Sequence, residues 1–121
     1  MGHMNQESIQ ERISTIEYEW SHLSKETDVE PKYYSFILIK VAALKTRIHE
    51  LLSILTEQFE TDKKAKMSFQ MLAKSLERIQ SLLDFKVKLG GTADSEHVKM
   101  VLTKIKSIEP EIEVLRKHIT H

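Results

Sequence analysis

The chain has 121 residues, with eighteen Lys and Arg against eighteen Asp and Glu, and it contains no cysteine. A chain of this length makes one domain that buries roughly two thirds of the surface its unfolded form exposes, so it can fold without a disulfide or a metal. Lack of cysteine excludes a disulfide framework, a zinc-thiolate site and thiol catalysis, and it fits a reducing, intracellular and probable cytoplasmic setting only as an expectation.

Met1-Gly2-His3-Met4 resembles a cloning scar, which leaves residues 5–121 as the expected domain. Only three glycines and two prolines interrupt the chain, and its apolar residues recur at spacings of three and four, the period of helices. In the first segment Ile9, Ile13, Ile16, Trp20 and Leu23 form such a stripe, with Ser8 and Glu11 as a capping box at its start. Trp20 is the largest side chain of that stripe and is expected in the core.

The second segment starts at Asp28-Val-Glu-Pro31, with Asp28 as cap and Pro31 in the first turn, where its missing N–H costs nothing. Its seam is Ile37, Val41, Leu44, Ile48, Leu51 and Leu55. A membrane span wants about 20 consecutive apolar residues, and Lys40, Lys45, Arg47, His49 and Glu50 interrupt this one. The third segment carries Phe69, Leu72, Leu76, Ile79, Leu83 and Val87 and is expected to end at Gly90-Gly91, glycine being the favoured C-cap. The fourth starts at Thr92-Ala-Asp94-Ser95 and continues through Val98, Val101, Ile105, Ile108, Ile112, Leu115 and Ile119.

Two boundaries have alternatives. The heptad phase runs on from the second segment into the third, which would allow one helix over 31–89; the polar run Glu60 to Lys66, with Thr61 or Asp62 as cap, favours a turn instead. Ser107-Ile-Glu-Pro110 could start a new helix, but the seam keeps its phase there, which favours one helix kinked at Pro110. Short connections make neighbouring helices antiparallel, so the expected fold is all-α, an up-down-up-down four-helix bundle.

Reactive constellations are sparse. Glu19-Trp-Ser-His22 has the Glu-x-x-His spacing of a di-iron helix, but Asp94-Ser-Glu-His97 is the nearest second copy and two further inward glutamates are missing. His118 and His121 stand three apart at the carboxyl end, and His49 beside Glu50 has no matching nucleophile. Gly90-Gly91-Thr92 lacks the Lys-Ser/Thr of a P-loop. No catalytic residue, metal or cofactor is therefore assigned, and the chain is read as non-enzymatic.

Charge is unevenly placed. Residues 1–30 hold two basic and seven acidic side chains, and residues 61–91 hold seven basic and three acidic. Lys63, Lys64, Lys66, Lys74, Arg78, Lys86 and Lys88 make a basic third segment that could face phosphates, although no aromatics for base stacking are interleaved with them. Apolar residues also exceed what the seams need. Tyr33, Tyr34, Phe36, Leu38 and Ile39 in the second segment, with Leu82, Phe85 and Leu89 in the third, are expected at one end of the hairpin as the walls of a partner groove. Met67 and Met71 belong to the same surplus. The competing reading is that the second helix is simply the most central one.

Ile9-Gln-Glu-Arg-Ile13 running to Trp20 resembles the third helix of a spectrin repeat, and Glu96 to His118 resembles its second. That resemblance covers under half the chain, and the order of the segments departs from a single repeat. It implies a cytoskeletal or scaffolding role. The expected function is an adaptor or scaffold module that binds an amphipathic helix or helical bundle of another protein, with self-association open and nucleic-acid binding as the alternative.

Overall fold

The computed structural model describes residues 6–88 and 94–119. Among them there is no strand. The elements are α1 (Gln6–Ser24), a 3-10 turn (Pro31–Tyr33), α2 (Tyr34–Thr61), α3 (Lys63–Leu82), α4 (Ser95–Ser107) and α5 (Glu109–Arg116). The protein is thus all-α, with five α-helices among the described residues where four were expected.

Every residue of the α1 stripe is buried, as are all six of the α2 seam, and one hydrophobic core joins them to α3, α4 and α5. Each fully buried Leu or Ile contributes roughly 1.5 to 3 kcal/mol against leaving it in water. α1 packs on α2, α4 and α5, whereas α3 packs on α2 and α5. Side-chain contacts fix the directions. Arg12 meets Glu50 and Arg47 meets Glu19 across α1 and α2, while Gln80 meets His49 across α2 and α3 and Lys45 reaches Phe85 just beyond α3. Arg78 meets Glu111, Phe69 lies near His118, and Arg116 pairs with Glu17. In each pairing one residue number rises as the other falls, so these neighbours are antiparallel.

A single extended residue makes the α2/α3 hairpin. Asp62 has φ −138° and ψ 103°. Its N–H closes α2 on the Gln58 carbonyl at 2.9 Å, and its carboxylate accepts from Lys64 N at 3.0 Å and Ala65 N at 3.3 Å. One side chain therefore ends one helix and caps the next, which excludes the continuous helix. Within the polar start expected for the fourth segment, Asp94 is the cap of α4, accepting from His97 N at 2.7 Å.

Other boundaries differ from expectation. α1 already includes Gln6, so Ser8 lies inside the helix and the Ser8–Glu11 box does not start it. Asp28 does not cap α2; the 3-10 turn opens from Glu30 without a side-chain cap, and Pro31 occupies its first position. α3 ends at Leu82, well before the glycines, because Leu83 turns into the core and the chain then runs irregularly through residue 88. The Gly90-Gly91 cap and Leu89 lie outside the described residues.

Pro110 marks a break between two helices, and Ile108 is the joint, with φ −87° and ψ 5°. A proline N supplies no hydrogen, so one carbonyl of the preceding turn loses its helical partner. Ile108 and Ile112 stay fully buried, which is why the seam keeps its phase across the break. Trp20 is buried as predicted, and its indole N–H donates to the Ile105 carbonyl at 2.7 Å. That carbonyl is one of the last four of α4, the group that a helix end leaves in need of a donor.

Candidate interaction surfaces

The apolar surplus of residues 33–39 is divided by the helical period. Leu38 is only 1% exposed and belongs to the core, so its assignment to a groove wall is corrected. The cause is angular: Leu38 lies at the edge of the inward arc of α2, beyond Val41, whereas Phe36 and Ile39 fall outside it. Tyr34 is half-buried against the core, and Tyr33 is exposed. Phe36 is 56% exposed and Ile39 58%.

Across from them on α1, Tyr18 is 66% exposed and meets His22 edge-on, with ring centroids 4.4 Å apart. Lys40, on α2 like Phe36, holds its Nζ 4.5 Å above the Phe36 ring. Tyr18, Glu19, His22, Lys40 and Ala43 line a hollow of about 280 Å³. Ala43 leaves room there because its side chain stops at Cβ. Tyr18 and His22 were missed by the sequence reading, yet their four-residue spacing off the Ile9–Leu23 seam is the signal that marks them.

The facing wall lies elsewhere. Leu82 borders a hollow shared with Arg78 and Glu111, on the α3/α5 side of the molecule. Phe85 is half-buried and packs on the core, with Lys45 Nζ 4.6 Å above its ring and donating to its carbonyl at 2.5 Å. Burial pushes the Lys45 ammonium below the ordinary lysine range, while Asp84 acts in the opposite sense. The α2/α3 seam beside this contact holds a hollow of about 330 Å³, with Ile48, Ile79 and Leu83 among its apolar lining and His49 held to Gln80 at 3.0 Å. Phe36 and Leu82 are therefore not brought together as two walls of one groove.

At about 100° of rotation per residue, the five basic residues of α3 fan over roughly 160° of its exposed side, with Lys66 and Lys64 at the two edges, while Lys86 and Lys88 lie beyond the end of the helix. Arg78 is engaged by Glu111 at 3.3 Å.

Glu19 of the Glu-x-x-His pair binds Arg47 Nε at 2.7 Å, and His97 accepts the Lys88 N–H at 3.3 Å. His118 sits on the Val114 carbonyl, and His121 lies outside the described residues. Among the described residues no three His, Asp or Glu are grouped to hold a metal, and no helix is long and apolar enough to cross a membrane. Comparison of the chain with protein-family models, curated proteins and solved structures finds no match.

Proposed function

We propose that this chain is a non-enzymatic adaptor module whose α1/α2 rim receives the apolar face of an amphipathic helix from a partner protein. The observation that carries this reading is the rim itself: Tyr18, Phe36 and Ile39 are each more than half exposed, and Tyr18 lines a hollow with Lys40 and Ala43. In this reading the helices work as an antiparallel four-helix bundle, with α4 and α5 together forming the fourth column. The bundle holds the rim rigid, which reduces the ordering cost of binding. Covering each exposed side chain would contribute roughly 1 to 2 kcal/mol, part of the full burial value. One large apolar anchor from the partner fits over Ala43 beside Tyr18, and Phe36 and Ile39 extend the apolar contact along α2.

A nucleic-acid role has weaker support, because Arg78 is engaged by Glu111 and no exposed aromatic accompanies the lysines of α3. The test compares the protein with its Phe36→Ser and Ile39→Ser variants for stability and for proteins co-purified from native cell extract. Stability should change by less than about 0.5 kcal/mol, as at exposed sites generally, while a specific co-purifying protein is lost. An unchanged set of co-purifying proteins would sink the proposal.

A further inference from the structure

α3 carries two stripes of similar spacing. The inner one runs from Ala65 to Leu83 and enters the core. The outer one is Lys63, Met67, Met71, Lys74, Arg78 and Leu82, with steps of four, four, three, four and four, and all six are exposed. Such spacing places them in one line along the helix. Met67 is 81% exposed, the most of any large apolar side chain described. The line holds three apolar and three basic side chains and no acidic one.

Its charge is poorly compensated. Among the described residues neither Lys63 nor Lys74 has an ion-pair partner. Lys63, Lys64 and Lys66 also crowd the first turn of α3, which contains no acidic residue; Asp62 at the cap supplies the nearby negative charge. Cations at the positive end of a helix dipole each cost a few tenths to about 1 kcal/mol. Acidic groups from outside would relieve that cost.

We propose that this stripe is a second docking surface, separate from the α1/α2 rim, for an acidic amphipathic helix of a partner protein. The methionines and Leu82 meet its apolar side, methionine adapting its shape to the contact. Lys63 and Lys74 meet its carboxylates, with the most acidic end over the start of α3. A hollow of about 500 Å³ lined by Lys74, Glu77, Arg78, Ser81, Leu82 and Glu111 gives the partner's apolar side a bed between α3 and α5. Charge complementarity selects the partner's sign, and the apolar line selects an amphipathic helix over a flexible acidic tail. The stripe has no Trp or Phe to enter a bilayer and none to stack on bases.

The test titrates a fluorescein-labelled helical peptide built of Glu/Leu heptads with the whole protein. Saturable binding is expected, weakened about tenfold by Met67→Ser combined with Met71→Ser, and similarly by Lys74→Glu and by a rise to high salt. Unchanged thermal unfolding of these variants shows that the loss is local. Phe36→Ser should leave the binding intact, so failure of the rim and failure of the stripe are distinguishable. The proposal is overturned if no saturable binding occurs, or if a permuted peptide of the same composition binds equally. It is also overturned if phosphatidylserine vesicles or duplex DNA bind more tightly with the same dependence on the variants.

Discussion

The α1/α2 rim and the outer stripe of α3 are both surplus apolar surface, but they are built differently. The rim is aromatic, lies between two helices and borders a small hollow; the stripe is methionine and lysine on one helix, with charge along its whole length. A notch accepts one shaped anchor, whereas a charged line sets sign and register over several turns. If both proposals hold, one core supports two surfaces with different selection rules.

That comparison depends first on the scaffold. Trp20→Ala removes a buried ring and the donor to the Ile105 carbonyl. A loss of roughly 3 to 5 kcal/mol is expected, measured by chemical denaturation, with both surfaces weakened together. A loss below about 1 kcal/mol would mean that the ring does not hold α1 against the end of α4.

Leu38 and Phe36 test the inner edge of the rim. Leu38→Ala should cost about 2 to 5 kcal/mol as a cavity in the core, whereas Phe36→Ser should stay within about 0.5 kcal/mol. Equal losses at the two positions would erase the distinction between core and rim.

Asp62→Ala should cost about 1 kcal/mol through loss of its cap. Because Lys63 and Met67 follow immediately, amide exchange should quicken at the start of α3, and stripe binding should weaken while the rim is unaffected. Uniform weakening of both would show that the hairpin turn governs the whole bundle.

The smallest effect belongs to Lys45, in the α2/α3 seam. Its folded pKa is lowered, chiefly by burial. Between that lowered value and the ordinary lysine range, the unfolded chain binds more protons, so the Lys45 contribution to stability rises with pH and is lost as pH falls through the folded pKa. Lys45→Met should remove this part of the rise between neutral pH and about pH 10.4. Denaturation curves for the two proteins that stay parallel across that range would show that burial does not lower the Lys45 pKa.

Much of the architecture was legible because a stripe at spacings of three and four describes a helix face without reference to any neighbour. Ile9 to Leu23, Ile37 to Leu55 and Val98 to Leu115 all entered the core as their spacing required. Asp62 and Asp94 were legible for the same reason, since a cap bonds to N–H groups two or three residues away. The outer stripe of α3 could also have been read from spacing alone.

Local pattern did not decide what depends on distant atoms. Leu38 and Ile39 are adjacent and equally apolar, but only Leu38 lies on the arc that the other helices cover. Tyr18 became part of a surface only when α2 brought Lys40 and Ala43 beside it, and Trp20 found its acceptor 85 residues away. The sequence by itself determined which side of each helix is apolar, because that follows from the rotation per residue. Tertiary structure alone decided where α3 ends and which apolar side chains remain exposed, because burial is set by the neighbours a helix face meets.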